Sequence, residues 1–114
     1  MRDGIYEITF YQHSDKKADL GVGIVTIKDG AMNGGDGGYI YRGKLSFDEG
    51  KATGRIHVSK WSLAFPSVFA GLDDYYLDYL GDVGDGDSID GWGTVVGQAS
   101  LTLYISAHRV GDAA

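Results

Sequence analysis

A chain of 114 residues, 43% hydrophobic and 23% charged, has the length and makeup of one folded globular unit rather than a disordered segment. With no cysteine, disulfides, thiolate metal sites and thiol catalysis are excluded, and no apolar run nears the roughly 20 residues of a membrane-spanning helix. The net charge of −6 argues against a nucleic-acid footprint, which needs clustered cations. Glycine occurs 19 times and proline once, and Glu7 and Glu49 are the only glutamates among 16 acids. Glycine and aspartate favour turns and are poor in helix interiors, so strands joined by tight turns are expected.

In chain order, Met1-Arg2-Asp3-Gly4 leads straight into a strand pattern, so no signal peptide is expected. Over 4–11, Tyr6, Ile8 and Phe10 alternate with Glu7 and Thr9, a half-buried strand. A polar loop containing His13 follows, then a strand over 20–28. Asp29-Gly30 is a hairpin signal, with a short return strand over 31–33. Gly34-Gly35-Asp36-Gly37-Gly38 reads as a turn. It precedes a strand, not a helix, so it offers no helix N-terminus to a phosphate.

The strand over 39–47 sets Tyr39, Tyr41, Leu45 and Phe47 inward, with Gly43 marking a bulge or bend. Asp48-Glu49-Gly50 is the next turn, and 53–60 is a strand with Ile56 and Val58 inward. The segment 61–71 holds Pro66 and reads as an irregular crossover with at most one short helical turn. A strand over 74–80 turns Tyr75, Leu77 and Tyr79 inward. An Asp/Gly loop is expected over 81–90, then strands over 92–97 and 100–110, the latter with Leu101, Leu103, Ile105 and Ala107 inward. About eight regularly spaced strands predict an all-β, small antiparallel up-and-down β-barrel, closed by pairing the first strand with the last, as one domain over 1–114.

Charge is unevenly placed along this frame. Residues 1–60 carry a net +1 and residues 61–114 a net −7, and no Lys or Arg lies between Trp61 and His108. An acidic surface repels nucleic acid and attracts a basic protein.

Chemistry-bearing residues are sparse. His13, His57 and His108 show no spacing that would converge on a metal or an oriented catalytic partner. The run from Asp82 to Asp90 offers oxygen ligands of the kind calcium prefers. It fails the EF-hand pattern, because Ile89 and Asp90 stand where an acid or amide and then glycine belong. Asp73, Asp74 and Asp78 are a candidate acid–base group by proximity, on a polar face without visible burial. No enzyme activity, cofactor or metal is therefore expected. Tyr39, Tyr41, Tyr75 and Tyr79 are candidate lining for a small hydrophobic ligand, against the simpler reading that they fill the core. Ile5, Tyr11, Tyr76 and Tyr104 stand on nominally polar faces and would form a self-contact patch if they cluster.

The pieces RDGIYEITF, GVGIVTIKDGAMNGGD, YIYRGKLSFDEG and FPSV, in order from Arg2 to Val68, resemble the GrlR-like negative regulators of type III secretion. The likeness continues more loosely, in strand rhythm, to Val110. It implies a compact calycin-like barrel, often dimeric and non-enzymatic, that binds a transcriptional activator and holds it off DNA; composition and the absence of a signal-peptide pattern lead to the expectation of a cytoplasmic protein. The likeness also implies an acidic Glu-Asp-Glu-Asp surface motif after the third long strand. Here that slot reads Phe47-Asp48-Glu49-Gly50, so only Asp48 and Glu49 carry over as partner-binding residues. The Asp82–Asp90 run is a candidate source of the missing charge.

Overall fold

The computed structural model describes residues 1–12, 19–62 and 72–114, with the side chain of Asp19 left out. Among them are eight strands and no helix: β1 (Gly4–Tyr11), β2 (Asp19–Lys28), β3 (Ala31–Gly35), β4 (Tyr39–Asp48), β5 (Lys51–Lys60), β6 (Asp74–Val83), β7 (Ser88–Val95) and β8 (Gln98–Gly111). Each strand pairs antiparallel with the next, and β1 pairs with β8, so the sheet closes into an up-and-down barrel. Closure pairs each described strand on both sides over at least part of its length.

The alternation read from the sequence places the core. Tyr6, Ile8 and Phe10 point in from β1, Ile56 and Val58 from β5, Tyr75, Leu77 and Tyr79 from β6, and Leu103, Ile105 and Ala107 from β8. No polar or charged residue is buried among those described. Leu101 and Phe47 are only partly buried, at the margins of that core.

Two hairpins turn on adjacent left-handed residues. Asp29 and Gly30 have φ of 51° and 81°, Glu49 and Gly50 of 50° and 77°, the pattern of a two-residue type I′ connection. The β3–β4 connection is capped by Asp36, whose Oδ1 accepts the backbone N–H groups of Gly38 at 2.8 Å and Tyr39 at 2.7 Å.

The largest departure from the sequence reading lies at 81–90. Instead of one loop, β6 runs on to Val83 and β7 begins at Ser88. The reason is side-chain volume. Gly81 and Gly91 face each other across the β6–β7 ladder and both point inward. A Cβ on Gly91 would lie 2.1 Å from the Leu80 carbonyl oxygen, and one on Gly81 would meet the Tyr79 hydroxyl at 2.5 Å. Gly81 makes room for the Tyr79 ring, whose hydroxyl donates to the Ile105 carbonyl at 3.2 Å, and Gly91 admits the Leu80–Gly81 backbone. The short return strand also extends, to Gly35, so the turn there is confined to residues 36–38. His13, the FPSV segment and the expected helical turn at Pro66 lie outside the described residues.

Candidate functional site

The barrel interior is nearly filled. Tyr39, Tyr41, Tyr75 and Tyr79 all point inward and are at least nine-tenths buried. Burial pushes the hydroxyls of Tyr41, Tyr75 and Tyr79 well above the usual tyrosine range, so they stay protonated. Tyr41 donates to the Asp36 carboxylate, and its ring packs edge-on against Phe10 with centroids 5.1 Å apart. The free space beneath is an apolar cavity of about 30 Å³, and a second of about 40 Å³ lies at the mouth beside Tyr39 and Asp36. Each is the size of a few water molecules at most, whereas an apolar site that takes benzene needs roughly 150 Å³. The four tyrosines are therefore core in this form of the protein.

The histidines and grouped acids do not converge. His57 on β5 meets Asp74 at 2.6 Å and stacks on Tyr76, with ring centroids 4.5 Å apart. His108 on β8 lies 3.7 Å from Glu7. Asp73, Asp74 and Asp78 each face a basic side chain of β5: Lys60 at 3.7 Å, the His57 ring, and Arg55 in a two-pronged bridge of 2.8 and 3.2 Å. The hydrogen bond from Arg55 holds the Asp78 carboxyl below its ordinary range. Among the described residues no three His, Asp or Glu side chains come together as a metal site.

What the fold does bring together lies on the outer wall. Strand register aligns Asp48 with Lys51, Lys51 with Asp82, Asp82 with Asp90, and Asp90 with Ser106. The acidic turn thus stands at one end of a belt crossing β4 to β8, and Asp82 and Asp90 continue it. Lys51 is hydrogen-bonded to Asp82, and Ser106 donates to Asp90 at 2.9 Å. Asp82 directly opposite Asp90 is a like-charge rung, an arrangement that costs stability. Two residues along each strand, a second row aligns Thr53, Leu80, Trp92, Tyr104 and Tyr11. Leu80 is 39% and Trp92 43% exposed, with Tyr104 and Tyr11 half-buried beside them.

Of the outward residues expected to cluster, Tyr11 and Tyr104 are therefore direct neighbours. Ile5 is opposite Thr26, and Tyr76 is opposite His57. Trp92 and Leu80 are outward apolar residues the sequence reading missed. The alternation over 88–95 was the available signal, obscured by its glycines.

The neighbouring wall has the opposite sign. Arg42 stands across from His57 and Lys44 across from Arg55, while Val22, Ile24 and Ile40 are exposed nearby. Arg42 and Lys44 on β4 thus stand apart from Asp82 and Asp90 on β6 and β7, beside which the Leu80–Trp92 row lies.

The described residues form a closed small barrel with a nearly filled interior and a charged, partly aromatic outer wall. The whole-chain comparison is specific: residues 1–113 match the family model described as T3SS negative regulator, GrlR. The chain belongs to that family of negative regulators of type III secretion. Comparison with curated proteins finds no match. No helix among the described residues is long and apolar enough to cross a membrane.

Proposed function

We propose that this protein represses by sequestration. It binds a transcriptional activator of type III secretion genes through the acidic turn Asp48-Glu49 and so keeps the activator from DNA. A DNA-binding protein is rich in Lys and Arg where it meets phosphate, and an acidic surface is its natural competitor.

The observation that carries the reading is the backbone at Glu49. Its φ of 50° lies in the left-handed region, which favours Gly, Asn and Asp and costs other residues about 1–2 kcal/mol. The sister turn places Asp29 in that position at φ 51°. A glutamate held there at a stability cost, beside Asp48 and on the belt that Asp82 and Asp90 continue, fits a residue retained for contact.

The test is competition. A labelled promoter fragment bound to the activator is titrated with the protein, and release is followed in a gel. Wild type is expected to free the DNA and the Asp48→Ala, Glu49→Ala double variant to need at least tenfold more. Equal potency of the two would remove the acidic turn from the mechanism. Failure of wild type to bind the activator at all would remove sequestration.

A further inference from the structure

We propose that the outer row Leu80–Trp92–Tyr104–Tyr11, with Asp82 and Asp90 beside it, is the docking surface for a basic amphipathic helix of the partner protein. The proposal rests on the sequestration reading and deepens it by naming the chemistry of the partner's contacting element.

Three features of the wall carry it. First, the four side chains are consecutive rungs on β6, β7, β8 and β1, one per strand. At about 4.8 Å between strands the row spans roughly 14 Å. A helix laid along it rises 5.4 Å per turn, so an apolar residue from each successive turn meets successive side chains of the row. Strand tilt makes such a row wind obliquely around a barrel, which leaves it flatter than the circumference. Second, a tryptophan flanked by a leucine and two tyrosines has the composition of a binding hot spot, where aromatic anchors dominate. Third, Asp82 and Asp90 lie two residues along their strands, about 7 Å from the row. A groove of about 510 Å³, lined by Tyr11, Asp82, Asp90, Ser106, His108 and Glu7, runs along the acidic belt on its side away from Leu80 and Trp92. Charges on that belt face the flank of a helix seated on the row.

The closed sheet decides how the partner binds. Each described strand is paired on both sides over at least part of its length, which disfavours addition of a partner strand and favours a helix seated on the wall. Charge decides the partner's sign and argues against a second copy by the same face. Two such walls pressed together would bring Asp78, Asp82 and Asp90 of both copies into one interface. No Lys or Arg between Trp61 and His108 offsets them, and Lys51 and Arg55 of β5 are already engaged with Asp82 and Asp78.

The experiment uses three fluorescently labelled synthetic peptides of about 14 residues. One is a leucine–lysine helix with an apolar stripe, one a lysine–leucine scramble without a stripe, and one a leucine–glutamate helix. Binding to the whole protein is read by anisotropy, and the emission of Trp92 is followed in a Trp61→Phe background. The striped basic peptide is expected to bind, to shift Trp92 emission, and to weaken with salt. Trp92→Ala is expected to weaken it at least tenfold, and Asp82→Asn with Asp90→Asn about threefold or more, with a shallower salt dependence. Tyr104→Ser serves as a second, milder variant, and thermal melts confirm that each variant is folded.

The proposal is overturned if the scramble or the acidic helix binds equally well, or if neither the Trp92 nor the Tyr104 variant loses affinity. Activator release is then measured with Trp92→Ala beside the Asp48→Ala, Glu49→Ala variant. Loss with the acidic-turn variant alone overturns the wall and leaves sequestration standing. Loss with both supports each. An activator that wild type never binds defeats sequestration, and the peptide series alone then decides the wall.

Discussion

Replacing Glu49 by Asn should stabilise the fold and weaken partner binding. Both central residues of the β4–β5 turn have positive φ, 50° at Glu49 and 77° at Gly50. An L-residue with a long side chain costs about 1–2 kcal/mol there, whereas Asn hydrogen-bonds locally and tolerates the region. Glu49 is exposed, so loss of its charge changes folding by only tenths of a kcal/mol. The net expectation is a gain of about 1 kcal/mol, or roughly 4 °C in melting temperature for a domain near this size. Thermal unfolding by circular dichroism, checked by urea titration, measures it. Asp29→Asn at the sister turn is the internal control. Aspartate already suits its φ of 51°, so the change there should stay within about 0.5 kcal/mol. Equal shifts at the two turns, or a loss at Glu49, would refute the claim that the glutamate is strained. Weaker activator binding in the stabilised variant would separate the residue's contact role from its structural one.

Gly91→Ala should destabilise by several kcal/mol or abolish folding, because its Cβ would sit 2.1 Å from the Leu80 carbonyl in a backbone that has no room to yield. Arg2 bridges Asp87 at 2.6 and 2.7 Å, and its hydrogen bond holds the Asp87 carboxyl below the ordinary 3.8. A depressed carboxylate contributes stability that is whole above the unfolded value and is lost as pH falls through the lower folded one. Arg2→Ala should therefore reduce stability at neutral pH and flatten its fall below about pH 4, read as melting temperature against pH. Lys51→Ala removes the cation paired with Asp82 and leaves the belt more negative. Association with a basic partner should speed up several-fold at low ionic strength and converge on wild type in high salt, followed by stopped flow.

Legibility in the sequence followed physical rules of differing strength. Period-two alternation over 4–11, 53–60 and 100–110 determined which residues point inward, since a one-residue slip would expose every apolar side chain. The Asp-Gly turn after Lys28 was legible for the same local reason. The Gly/Asp run over 81–90 was not. Glycine in a strand has the same letter as glycine in a loop, and its role here depends on Tyr79, whose ring occupies the space above Gly81. The outer wall was legible only in pieces. Asp48, Glu49, Tyr11 and Tyr104 were visible as outward residues, but their joining with Asp82, Asp90 and Trp92 depends on register across five ladders. Register is set by turn lengths and bulges, which composition does not carry.

The features that strain this fold share one location. Its interior obeys the packing rules closely: apolar residues inward, glycines where a ring needs space, and voids no larger than a few waters. The outer surface carries the exceptions. Glu49 is left-handed, Asp82 faces Asp90, Lys44 faces Arg55, and Trp92 is exposed. None of these residues belongs to the buried core. Sequences depart from local consistency chiefly where a site requires it. Among the described residues the closed barrel holds only small voids, so its outer side chains are the surface offered to a partner, and there the departures gather.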